Sequence, residues 1–118
     1  MEHVDRFEGQ LRGEVVVDPH APVTYVLSGE IDAYVAEALE RRLREIARER
    51  GEILDVDLAD VEFCDSTGLR MFIKLCNEFA AGGGRLRFLR PSPSVVRLVR
   101  LTDTGSILGI PTTTGDET

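Results

Sequence analysis

Short β-branched runs alternating with amphipathic helical stretches constrain this chain more than any other feature. Glu14-Val15-Val16-Val17 and Val23-Thr24-Tyr25-Val26-Leu27 read as strands, and Asp18-Pro19-His20-Ala21-Pro22 between them has the turn residues of a hairpin. Val35, Leu39, Leu43, Ile46 and Ala47 then recur at helical spacing, with Glu37, Glu40, Arg41, Arg44, Glu45 and Arg48 on the other face. Asp32 precedes this helix and Gly51 stops it. Ile53-Leu54-Asp55-Val56-Asp57-Leu58 is the next strand. A second helix follows with Leu69, Phe72, Ile73, Cys76, Phe79 and Ala80, widened by Met71 and Leu75 and ended by Gly82-Gly83-Gly84. Arg85 to Arg90 alternates at period two, as a strand with one arginine-rich face. Ser92-Pro93 opens a third helix bearing Val95, Val96, Leu98, Val99 and Leu101, with Gly105 as its stop. Ile107-Leu108-Gly109-Ile110 reads as a last short strand.

Strand–helix alternation with short loops implies parallel pairs joined by right-handed crossovers. The expected fold is one α/β domain with a mixed, mostly parallel sheet of four to five strands and about three helices. Its 118 residues suit a single domain, able to bury ~65% of its unfolded surface. The expected boundaries are an N-terminal arm or edge strand over 1–13, the domain over 14–111, and a disordered tail over 112–118.

The net charge of −7 argues against direct nucleic-acid binding and against an anionic membrane surface, and favours partners with basic faces. No run approaches the ~18 apolar residues of a membrane span, and the first residues lack a signal-peptide pattern. The expected location is the cytoplasm. Cys64 and Cys76 fall in apolar surroundings and read as buried thiols rather than a disulfide or metal site. No cofactor is implied.

The chemistry concentrates where the third strand gives way to the second helix, at Val61-Glu62-Phe63-Cys64-Asp65-Ser66-Thr67-Gly68-Leu69. The turn puts a hydroxyl at a helix N-terminus, beside a carboxylate and ahead of a glycine. Unpaired N–H groups there can hold a phosphate, so Ser66 is a candidate switch; the plain alternative is a helix cap. Residues 51–65 carry Glu52, Asp55, Asp57, Asp60, Glu62 and Asp65 and no Lys or Arg, an acidic stretch that would steer a basic partner toward Ser66. Arg85, Arg87, Arg90, Arg97 and Arg100 read as solvated faces rather than a phosphate or nucleotide site.

Two segments carry a family resemblance. Gly29-Glu30-Ile31-Asp32 resembles a Gly-Glu-Leu-Asp signature, and Asp65-Ser66-Thr67-Gly68-Leu69 matches an Asp-Ser-x-Gly-Leu signature, with one helix and one strand between them. Over roughly residues 14–110 the chain resembles the STAS domain, and within it the short bacterial anti-sigma factor antagonists. The resemblance implies that Ser66 is a phosphate acceptor, that Asp32 lies in the same site, and that Gly29, Glu30, Asp65, Thr67 and Gly68 form its partner-binding or switch neighbourhood. It implies as partners an anti-sigma factor that is also a serine kinase and a metal-dependent phosphatase, in a stress response that frees a sigma factor. Phosphorylation then breaks the complex. A weak homodimer and a choice of Thr67 over Ser66 stay open. The threonine that the family often carries shortly after the first Asp is missing, since Ala33-Tyr34-Val35-Ala36 follows Asp32. The alternative within the family is a scaffold or regulatory subunit of a transporter or signalling complex, without phosphorylation.

An enzyme is not expected. A hydrolase nucleophile elbow needs Gly-x-Ser-x-Gly, and Cys64 occupies the first glycine position. The two histidines, His3 and His20, lie far from Ser66 in sequence. A phosphoacceptor-aspartate receiver domain would resemble its family in an acidic pair after the first strand and a late Lys, and neither is in place.

Overall fold

The computed structural model describes residues 3–112. Five strands form one sheet in chain order: β1 (His3–Arg6), β2 (Leu11–Val16), β3 (Val23–Ile31), β4 (Ile53–Cys64) and β5 (Arg85–Leu89). The β1–β2 and β2–β3 pairs are antiparallel, and β3–β4 and β4–β5 are parallel. The sheet is therefore mixed as expected, with parallel pairing in half of its pairs. Residues 3–13, which the sequence left open between arm and strand, supply the edge strand β1 and the start of β2. Of the expected tail, residues 113–118 lie outside the described residues.

Each parallel pair is bridged by a long helix, α1 (Ala33–Arg50) between β3 and β4, and α2 (Ser66–Ala81) between β4 and β5. Crossovers of one hand bring both helices to the same face, where they pack on each other. The core between helices and sheet contains Tyr25, Leu27, Ile31, Leu39, Leu43, Leu54, Val56, Leu58 and Leu75. On β4, alternation turns Asp55 and Asp57 to the opposite face. Both are buried there and paired with arginines: Arg87, in the middle of β5, makes two hydrogen bonds to Asp55 at 2.6 and 3.0 Å, and Arg90, just after β5, makes two to Asp57 at 3.1 and 2.8 Å.

Three local features depart from the periodicity reading or lie beyond it. β4 continues past Leu58 to Cys64, because β3 stays paired with it through two register shifts, opposite Val26–Ser28 and Gly29–Glu30, at each of which β4 carries an extra residue. β5 reaches only as far as Asp57, and α3 (Pro93–Thr102) packs against the second half of β4 in its place, with the Ser94 hydroxyl donating to the Glu62 carbonyl at 2.8 Å. The expected final strand over 107–110 is instead one helical turn, α4 (Gly105–Leu108). Gly109 at φ 69° ends the turn, and the Ile110 amide donates back to the Gly105 carbonyl at 2.9 Å. Leu108 and Ile110 reach the core through this turn, which a short apolar run cannot distinguish from a strand.

Candidate functional site

The site lies where the two central parallel strands end. Ile31 of β3 is in register with Cys64 of β4, and the Asp65 amide donates to the Ile31 carbonyl at 3.0 Å. The next residue of each strand is therefore a neighbour of the other, and each caps a helix. Asp32 caps α1, accepting from the amides of Tyr34 at 3.0 Å and Val35 at 3.3 Å. Asp65 caps α2, accepting from the Gly68 amide at 2.9 Å. The two residues that the sequence set 33 positions apart are thus a matched pair of caps at one end of the sheet.

This arrangement separates the two readings of Ser66. The cap is Asp65, so the Ser66 hydroxyl is not needed for capping. Ser66 is the first helical residue of α2, exposed, and its side chain makes no hydrogen bond among the described residues. A hydroxyl so placed is accessible to a modifying enzyme. A phosphate on it would sit at the positive end of a sixteen-residue helix. Thr67 is half-buried and turns into a groove of about 270 Å³ between α1 and α2, lined also by Glu37, Glu40, Arg70 and Lys74.

The glycines of the two motifs have structural roles. Gly29 adopts φ 108°, and a Cβ there would stand 1.6 Å from the Gln10 carbonyl oxygen. It is the point where β2 closes on the irregular stretch of β3, and the Glu30 amide donates to that same Gln10 carbonyl. Glu30 is half-buried and in register with Phe63. Gly68 lets α2 lie against the end of β3, since a Cβ would meet Ile31 Cγ2 at 2.7 Å and Cys64 Sγ at 3.0 Å. Burial, and after it the Asp65 carboxylate, push the buried Cys64 thiol up to about 12, so it stays protonated and is a poor nucleophile. Among the described residues no group of three or more His, Cys, Asp or Glu side chains could hold a metal ion. No helix among them is long and apolar enough to cross a membrane.

The acidic stretch is reduced by packing. Asp55 and Asp57 are paired with arginines, Asp65 caps a helix, and Glu52 lies at the far end of β4. Asp60 and Glu62 are the exposed carboxylates that remain toward the Ser66 end of β4. The arginine stretch is reduced in the same way, as Arg87 and Arg90 hold those aspartates and Arg100 donates to the Thr112 carbonyl. Periodicity did not single out two exposed aromatics, Tyr34 at 85% and Phe63 at 48% exposure, beside the first cap and just before the second. Their signal was an aromatic at a position where the helix or strand needs no core residue.

The STAS domain model matches residues 13–116. The chain is 36% identical over 84 residues to the anti-sigma-B factor antagonist of Bacillus subtilis (strain 168), covering 71% of this chain and 76% of that protein. The unphosphorylated form of the anti-sigma factor antagonist SpoIIAA superposes with a TM-score of 0.67 at 21% identity, over 89% of this chain and 90% of that one. The phosphorylated form of the Bacillus cell fate determinant SpoIIAA superposes with a TM-score of 0.63 at 20% identity, over 89% and 94%. At these identities the structural likeness speaks for the fold.

Proposed function

This chain belongs to the STAS domain family, and on that premise we propose that it is a cytoplasmic anti-sigma factor antagonist switched off by phosphorylation of Ser66. In its unmodified form it binds an anti-sigma factor that is also a serine kinase, and so releases a sigma factor. A metal-dependent phosphatase restores it. The observation that carries this reading is the exposed Ser66 hydroxyl, left without a structural task because Asp65 supplies the cap. The likeness to a Bacillus protein named an anti-sigma-B factor antagonist supports the partner class.

The switch works by blocking an interface, with the fold unchanged. Phosphate adds about −1.5 to −2 charges at neutral pH. The helix end favours it and the neighbouring Asp32 and Asp65 oppose it, each by ~1 kcal/mol or less, too little to unfold the domain. An uncompensated charge forced into an interface costs ~2–5 kcal/mol, a factor of ~30 to several thousand in affinity. Tyr34 and Phe63 are the apolar anchors flanking the hydroxyl on that interface.

The test is phosphosite mapping of the protein purified from its own host, with and without phosphatase treatment, followed by pull-down with Ser66→Ala. One phosphate on Ser66 and capture of a serine kinase by the Ser66→Ala form support the reading. Absence of phosphate in growth and in stress, with partner binding intact, would replace it with the scaffold reading. Phosphate on Thr67 alone would move the acceptor.

A further inference from the structure

Along α2 the side chains of Ser66, Arg70, Lys74 and Asn77 are all exposed, and their spacing of four, four and three residues puts them on one stripe. Two cations on that stripe differ in their engagement. Lys74 is bound across the groove to Glu40 at 3.0 Å, and the Lys74 and Arg44 partners hold the Glu40 carboxyl below its usual range although burial alone pushes it up. Arg70 makes no ion pair or side-chain hydrogen bond among the described residues. It lies four residues after Ser66 and lines the α1–α2 groove beside Thr67; because helical side chains lean toward the N-terminus, its guanidinium can swing toward the turn that carries the hydroxyl. A negative group followed at i+4 by a positive one is the favourable order for a helical pair.

We propose that Arg70 is the internal receptor for a phosphate on Ser66, closing a phosphoserine–arginine pair along the first turn of α2; this rests on the Ser66 switch proposed above. Modification then changes the surface twice over. It adds a dianion, and it withdraws from a docking partner the guanidinium nearest to Ser66 on the stripe. Guanidinium and phosphate match as planar fork and oxygen cluster, which makes arginine a better receptor here than lysine. Several carboxylates lie at this end of the fold: Asp65 and Asp32 cap α2 and α1, Glu37 and Glu40 line the groove from α1, and Glu62 is exposed near the end of β4. All of them oppose the dianion, so the effect of Arg70 has the opposite sign to that of its surroundings. Lys74 is two turns away and already held by Glu40.

The experiment installs phosphoserine at position 66 during translation, without any kinase, and follows its second ionisation by phosphorus NMR across pH 4.5–8. Wild type, Arg70→Gln, Arg70→Lys and Arg85→Gln are compared. Arg85 is exposed at the start of β5, which pairs with the beginning of β4, far from the Ser66 edge, so its variant makes the same change in net charge at a distance. The expected result is a midpoint about 0.3 unit higher in Arg70→Gln than in wild type, an intermediate value in Arg70→Lys, and no shift in Arg85→Gln. Coincident wild-type and Arg70→Gln titrations would overturn the pairing, as would equal shifts in Arg70→Gln and Arg85→Gln. Arg70 is exposed, and a thermal melt of each variant confirms that folded protein is being titrated. Because the phosphate is placed by translation, the result does not depend on whether the host modifies Ser66. A parallel binding measurement between the phosphorylated chain and its anti-sigma partner tests that reading separately.

Discussion

Gly29 and Gly68 look alike in the two motifs but are required for different reasons, and their alanine variants separate them. At Gly29 the backbone is in the left-handed region and the Gln10 carbonyl occupies the space a Cβ needs. Gly29→Ala should therefore lose roughly 3 kcal/mol or more, from strain and steric overlap together, seen as a lower urea midpoint at unchanged slope. Gly68 is inside a helix, where alanine alone would gain ~1 kcal/mol. Its neighbour Ile31 is fully buried and cannot move aside. Overpacking costs ~1–3 kcal/mol, so Gly68→Ala should come out destabilising by about 1 kcal/mol. A stabilised variant would show that α2 can lift off β3, and that Gly68 serves something other than close packing.

A part-buried polar cluster ties the N-terminal hairpin to the helix layer. Tyr25 of β3 donates to Asp5 of β1 at 2.6 Å, and Arg42 of α1 donates to the same carboxylate oxygen at 2.8 Å. Burial, and after it the Asp5 carboxylate, hold the Tyr25 hydroxyl far above its ordinary 10.0. Below about pH 10 both folded and unfolded chains keep this proton. Above it the unfolded chain ionises while the folded one does not, so stability should fall by ~1.4 kcal/mol per pH unit from about pH 10 upward. Tyr25→Phe should flatten that decline in urea titrations at pH 9–11.5, and identical slopes in both proteins would mean that the hydroxyl is not held protonated. The sequence could not disclose this cluster, because Asp5, Tyr25 and Arg42 are joined only by tertiary folding and β1 is a polar strand without apolar alternation. The same limit hid the pairs of Asp55 with Arg87 and Asp57 with Arg90, each more than thirty residues apart. Local signals were legible: Asp32 ahead of α1, the glycine stops of α1 and α2, and Ser66 at a helix start follow from residue types within a few positions, whereas the capping role read for Ser66 falls to Asp65 one residue earlier. The final turn at 105–108 was not, because Ile107-Leu108-Gly109-Ile110 suits a strand as well as a helix until Leu108 and Ile110 are seen to face the core.

At the scale of the molecule, the charge of −7 sets how a partner arrives more than how tightly it stays. Much of the acidic stretch before Ser66 is internally neutralised or engaged in capping, which leaves Asp60 and Glu62 as its exposed charges toward that edge. Whole-protein attraction of a basic partner then depends on the net field, with a small local contribution near the docking edge. The association rate with the anti-sigma partner should fall about tenfold as salt is raised from 0.05 to 0.5 M, at the low end of electrostatic steering, while the dissociation rate changes little. Asp60→Asn combined with Glu62→Gln should remove part of that salt dependence without loss of fold, since both side chains are exposed. Stopped-flow association across the salt series decides it. A rate independent of salt would place the basic face of the partner elsewhere, and a double variant with wild-type salt dependence would assign the steering to the rest of the acidic surface.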